Sequence, residues 1–183
     1  MVTIPRIETP RLLLREWRDS DIDAYAALCA DPEVMRYLAM NQTLSREDAW
    51  RQMAAFAGHW MLRGFGLWVA ELRETGELAG RIGCHQPEGW PGFEIGWTLR
   101  REFWGRGLAA EGARAAMRFA FETMGRDHVI SVIHPDNRRS IALAERLGEQ
   151  LEGRTRVRDI DVLIYGIDRA RWRTTSGEAT APR

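Results

Sequence analysis

Residues 93–122, FEIGWTLRREFWGRGLAAEGARAAMRFAFE, constrain the architecture more than any other stretch of the chain. FEIGWTLR alternates strictly, with Phe93, Ile95, Trp97 and Leu99 on one face and Glu94, Gly96, Thr98 and Arg100 on the other. That is a strand with one face on a core and the other toward something polar. From Gly107 to Met124 the period becomes helical. Glu111, Arg114, Arg118 and Glu122 recur three or four apart, and Leu108, Gly112, Ala116, Ala120 and Met124 form a second side small enough to lie close to a sheet. Between strand and helix sit Gly105, Arg106 and Gly107. The unpaired N–H groups and dipole of a helix N-terminus favour an anion there. Gly107 has no side chain to obstruct a pyrophosphate, and Arg106 can neutralise one.

Two nucleotide cofactors fit that spacing, a dinucleotide and coenzyme A. Gly105, Gly107 and Ala110 match G-x-G-x-x-A, and Asp127 lies where a ribose contact belongs. The context opposes a Rossmann reading. Strand 93–99 alternates, Arg100 and Arg101 separate it from the loop, and the upstream strands form a hairpin in place of a second βαβ half. All 26 basic side chains are arginine, with no lysine in the chain. That excludes a P-loop, which needs its lysine, and a lysine Schiff base of the pyridoxal phosphate type.

The rest of the chain supplies the frame. RIETPRLLLREW reads as an opening strand, with Leu12 and Leu14 alternating with Leu13 and Arg15. Helix starts follow at Ser20 with Asp23, at Asp31 with Pro32, and at Ser45 with Asp48, the last helix ending at Gly64. GLWVAELR and LAGRIGCHQ flank ETGE as an antiparallel hairpin. HVISVI is a short buried strand, DNRRSIALAERLG a capped helix ending at Gly148, and DIDVLIYGI a further strand. Residues 174–183 have nothing to bury and are expected to be disordered. With 183 residues and a formal net charge of zero, one domain over 1–173 is expected. The balanced charge argues against nucleic acid, and no apolar run approaches the roughly 20 residues of a membrane span. The first residues lack a signal-peptide pattern, so the expected location is cytoplasmic. Cys29 and Cys84 read as buried free thiols, and the histidines show no metal-ligand spacing.

Four segments in order, ETPRLLLREWRDSD, residues 93–122, HPDNRRSIALAERLG and VLIYGIDRARW, make the chain resemble the GNAT superfamily of acyl-CoA N-acyltransferases, within it the RimJ/RimL branch. The resemblance runs from about Ile7 to Arg173. It implies a single α/β (α+β) domain whose mixed, mostly antiparallel sheet is flanked by helices and splayed at the centre. It also implies acetyl-CoA as co-substrate with no metal, and a monomer or homodimer. Trp104, Gly105, Arg106, Gly107, Leu108 and Ala109 fall on the family's coenzyme A loop. Trp104 replaces the general Gln or Arg, as is usual in this branch. Glu149 departs from the aromatic residue that members carry after the leucine and glycine ending the helix.

Direct acyl transfer to a primary amine needs a base, an oxyanion donor and an acid for the departing thiolate. Glu94, on the polar strand face, is the candidate base, with His85 and His134 as rivals. Asn137 and Ser140, at the N-cap and N3 of one helix, would by resemblance meet the pantetheine arm and the sulfur. Tyr165 is an alternative acid. The oxyanion donor is expected to be a backbone N–H of the Glu94 strand, and Trp68 or Trp97 either walls the acceptor site or belongs to the core. The favoured acceptor is the α-amine of a peptide or protein N-terminus. The alternatives are a small-molecule amine (amino acid, polyamine or antibiotic) and a non-catalytic acyl-CoA-binding module. Residues 41–64, expected to shape acceptor entry, contain no readable motif.

Overall fold

The computed structural model describes residues 3–38 and 42–175. Its strands are β1 (Ile7–Glu8), β2 (Leu12–Arg15), β3 (Leu67–Leu72), β4 (Leu78–His85), β5 (Glu94–Leu99), β6 (His128–Ile133), β7 (Gln150–Val157) and β8 (Ile160–Asp168). Its helices are α1 (Ile22–Ala30), α2 (Pro32–Met35), α3 (Arg46–Arg63), α4 (Leu108–Arg118), α5 (Arg138–Arg146) and α6 (Arg169–Thr175). One sheet runs in the order β1-β2-β3-β4-β5-β6-β8-β7. Every neighbouring pair is antiparallel except β5 and β6, which are parallel and meet in register at Glu94 and Ile130 alone. Beyond that pair the two strands part, and the sheet is splayed at its centre. Among the described residues that single parallel pair leaves no doubly wound sheet for a Rossmann cofactor.

Strand register assigns each face its cover. Leu67 and Val69 stand opposite Gly83 and Arg81, on the side closed by α1 and α3 through Tyr25, Leu28 and Phe56. Ile82, Cys84, Ile95 and Leu99 face the other way, onto Leu108, Ala113, Ala116 and Met117 of α4. A Cβ at Gly112 would come 2.4 Å from Ile82 Cδ1, so the small side of α4 does lie against the sheet. Both faces of β5 are therefore covered, and its polar side chains look into a roofed cleft.

Asp31 accepts from Glu33 N–H ahead of Pro32, Ser45 accepts from Asp48 N–H, and Gly64 ends α3 at φ 74°, as the sequence signals require. Other local readings are corrected. The opening strand is a hairpin of β1 and β2. Arg15 is buried, because its guanidinium bonds the carboxylates of Asp21 and Glu71. Asp21, which also accepts from Arg18 N–H, organises the entry to α1 in place of Ser20. Regular α-helix stops at Arg118 and one π turn carries the chain through Phe119–Thr123. β7 is a further strand, mostly exposed, that no apolar alternation marks in the sequence. Thr174 and Thr175 belong to α6, their hydroxyls donating to Arg171 O, so these two are ordered, against the expectation for 174–183; residues 176–183 lie outside the described residues.

Candidate active site

The cleft at the splay encloses about 1660 Å³ and runs from the N-terminus of α4 to a chamber between β4–β5 and helix α3. Gly107 is the N-cap of α4 at φ 77°, and Gly105 stands at φ 72°. Both conformations cost a side-chain-bearing residue about 1–2 kcal/mol. No side chain caps the helix, which leaves its first-turn N–H groups for a ligand. Trp104, Gly105, Gly107, Leu108 and Ala109 line the cleft there. Arg106 does not. Its guanidinium stacks 5.6 Å from the Phe103 ring centre, and its carbonyl accepts from Arg11. Arg11 also donates to Glu111 at 2.7 Å, and Thr9 to the same carboxylate at 2.6 Å, so a second pair of residues braces the loop from behind. Arg114 and Arg139 line the mouth instead of Arg106, with Arg139 Cζ 4.7 Å from the Trp104 ring centre. An uncapped helix end, two left-handed glycines and arginines at the mouth fit a pyrophosphate.

Glu94 lies where β5 and β6 meet and is 9% exposed. Desolvation pushes its carboxyl up to about 7, against the pull of Trp90 Nε1–H, which donates at 2.7 Å, of Val132 N–H, and of the Arg81 charge. A carboxylate that titrates near neutrality suits a general base. His85 faces Glu94 across the strand pair, but desolvation, Arg81, His59 and Arg158 push its imidazolium down to about 3. It stays neutral and is too weak a base to compete. His59 bonds Phe65 O through Nδ1 at 2.7 Å and accepts Gln86 N–H on Nε2, which ties both nitrogens to backbone. His134 accepts Asp136 N–H on Nδ1 in the turn before α5.

On the other side of the splay, Asn137 caps α5 by accepting from Ser140 N–H at 3.2 Å, and Ser140 Oγ accepts from Trp97 Nε1 at 3.3 Å. The cleft is thus spanned by a β5 indole touching the first turn of α5. Trp68 is fully buried in the core. Tyr165 does not line the cleft; its hydroxyl donates to Glu145 on α5, in a cluster with Ile133, Ala144 and Leu163 against which Trp97 packs. Glu149 is buried at 3% exposure, and its Oε1 lies 3.0 Å from Ser131 Oγ, which is itself 3.0 Å from Ile95 O on the parted edge of β5. Desolvation, with the charges of Glu94 and Glu152, pushes its carboxyl up to about 8. Of the segment expected to shape acceptor entry, Asn41 lies outside the described residues, whereas Gln52, Phe56 and His59 of α3 line the chamber.

Trp90, Ser131 and Arg81 escaped the sequence reading. Trp90 carries the one available hint, since an indole N–H inside a glycine- and proline-rich loop needs an acceptor. Among the described residues no group of histidines, cysteines and carboxylates could hold a metal ion, and no helix is long and apolar enough to cross a membrane.

The profile of the Acetyltransferase (GNAT) domain family matches residues 11–150, and the chain belongs to that family of acetyltransferases. It is 33% identical over 150 residues to the Uncharacterized N-acetyltransferase YoaA of Bacillus subtilis, spanning 81% of this chain and 85% of that protein. The crystal structure of an acetyltransferase from Agrobacterium tumefaciens superposes with a TM-score of 0.81 at 33% identity, covering 91% of this chain and 96% of the other. A GNAT acetyltransferase from Bacillus anthracis gives 0.77 at 25% identity, covering 90% and 98%. Acetyl-CoA-dependent N-acyl transfer is therefore the activity class.

Proposed function

We propose that the enzyme moves acetyl from acetyl-CoA directly to an α-amine, as at the N-terminus of a peptide or protein, with the RimJ/RimL pattern as its nearest branch. The observation that carries the reading is Glu94, a buried carboxyl with a pKa of about 7 at the point where β5 and β6 part. An α-amine, with a pKa of about 7.7 to 8.0, is partly neutral at neutral pH, whereas a lysine amine at about 10.4 is not. A base titrating near 7 can take the last proton of the former. Acetyl-CoA supplies the activated acyl group; Gly105, Gly107 and the first turn of α4 would hold its pyrophosphate, and Asn137 its pantetheine arm. Amides of β5 beyond Glu94, which have no strand partner on the parted edge, are the oxyanion donors. Ser140 would hand a proton to the departing thiolate. Cys84 and Cys29 are buried and their thiols pushed up by desolvation, which supports transfer without a covalent enzyme intermediate.

Steady-state kinetics of Glu94→Gln test this reading. The variant should lose about 10²- to 10⁴-fold in kcat together with the acidic limb near pH 7, while calorimetry finds acetyl-CoA affinity kept. Full activity with an unchanged pH profile would remove Glu94 as the base.

A further inference from the structure

Three polar side-chain atoms that are buried without a hydrogen-bond partner, Arg81 Nε, His85 Nδ1 and Thr98 Oγ1, lie on one face of the β4–β5 pair. Register puts Arg81 opposite Thr98 and His85 opposite Glu94, so the three share that face with the candidate base, and all line the cleft. Buried polar atoms are ordinarily satisfied; orphans converging on one chamber mark where a polar ligand belongs. Thr98 is 7% exposed, next to the last residue of β5, and its hydroxyl has no hydrogen-bond partner among the described residues.

Arg81 sets the sign of that ligand. The nearby guanidinium of Arg15 is neutralised by Asp21 and Glu71, but Arg81 makes no ion pair among the described residues. Its Cζ lies 5.0 Å from the Phe56 ring centre, and its charge acts on Tyr25 and Cys29 of α1 as well as on Glu94, so the guanidinium stands in the chamber beneath α1 and α3. The coenzyme does not supply the missing anion, because the phosphate cradle is at α4, which packs on the opposite face with its own arginines. Arg158, at the tip of the β7–β8 turn, adds a second positive charge at the rim. A polyamine or aminoglycoside would enter against both.

We propose that the acceptor is an amine bearing a carboxylate on the same or the adjacent carbon, with Arg81 and the Thr98 hydroxyl holding the carboxylate while the amine faces Glu94. This rests on the acetyl-transfer reading and names its acceptor class. The distances agree. Four strand residues separate the Arg81 and Glu94 positions by about 13 Å. The α-amine nitrogen and carboxylate carbon of an amino acid are about 2.5 Å apart, and a charge-assisted hydrogen bond of about 2.8 Å at each end brings the span to about 8 Å. The remainder, about 5 Å, is covered by Glu94 itself, whose Oε1 lies 3.6 Å from where a Cβ on Gly96 would stand, so its carboxylate reaches along β5 toward Thr98 and Arg81.

The test is a matched panel read by thiol release: free L-amino acids against their amides, peptides beginning with Asp against the same peptides beginning with Asn, and spermidine. Wild type should favour the carboxylate member of a pair at least tenfold in kcat/KM. Arg81→Gln should lose that preference through a raised KM for the carboxylate member, and Arg81→Lys should keep part of it. The amino-acid arm against the peptide arm tells an α-carboxylate from an acidic first side chain. Equal use of both members, preference for spermidine, or a preference that survives Arg81→Gln overturns the inference, as does turnover of no member by a protein that binds acetyl-CoA. Failure to bind acetyl-CoA in calorimetry instead brings down the reading beneath it.

Discussion

Replacing Glu149 by Gln should stabilise the protein increasingly as pH rises. Ser131 has one hydroxyl proton and two oxygens at 3.0 Å, Ile95 O and Glu149 Oε1. Both contacts are hydrogen bonds only if Ser131 donates to Ile95 O and a protonated Glu149 donates to Ser131 Oγ. The other carboxyl oxygen, Oε2, is buried without a partner, which an anion would tolerate far less well than a neutral acid. Its pKa of about 8 in the fold exceeds its unfolded value, near 4.5, so the folded state holds the extra proton. Stability from this group is complete below about pH 4.5 and is lost at about 1.4 kcal/mol per pH unit until about pH 8, a total of about 5 kcal/mol. Gln is neutral at every pH, and its amide can donate to Ser131 as the acid does. In denaturant unfolding at pH 5, 6, 7 and 8, the stability difference between Glu149→Gln and wild type should grow by about 1.4 kcal/mol per unit. Glu94, with the lower folded pKa of the two, ionises first and pushes Glu149 upward, so the acidic limb of activity near pH 7 should be the same in the variant. A stability difference that stays constant from pH 5 to 8 would mean that Glu149 is already ionised in the fold and holds no extra proton there.

Gly107→Val should weaken acetyl-CoA binding at least tenfold in calorimetry, because a β-branched residue resists φ 77° and its side chain covers the first-turn amides of α4; undiminished affinity would place the phosphate elsewhere. Ser140→Ala should lower kcat by about 10²-fold or more with acetyl-CoA affinity retained, and unchanged turnover would leave the thiolate to take its proton from solvent. Arg15→Leu should cost about 3–5 kcal/mol of unfolding free energy by stranding Asp21 and Glu71; a loss below about 1 kcal/mol would show that water reaches those carboxylates.

What was legible in the sequence is what local rules determine. Gly107 needs a left-handed turn whatever surrounds it, Asn137 and Ser140 meet because three residues make most of a helical turn, and the period of 93–99 fixes which side chains accompany Glu94. For Arg15 the alternation says only that it points away from Leu14; its partner Glu71 is brought in by β3 and is invisible from β2. Strand β7 was missed because it is an edge strand with most of its side chains exposed, so no apolar alternation marks it.

The chemistry of the chamber was hidden for a related reason. Arg81, Trp90, Glu94, Ser131 and Glu149 come from three strands and two loops, and each would be an ordinary polar residue on its own segment. Their character arises only when the parting of β5 from β6 removes backbone partners and the roof of α1 and α3 removes water. Desolvation is the largest influence on both buried carboxyls, and it is a property of the assembled cleft. The same burial acts differently on the two. Glu94 has Trp90, Val132 and the Arg81 charge to draw it back to about 7, where it can exchange a proton with an amine. Glu149 has one hydroxyl and two repelling carboxylates, and is left as an acid that ties α5 to the parted strand. One residue can move a proton at neutral pH and the other holds one, because the splay gives them different neighbours.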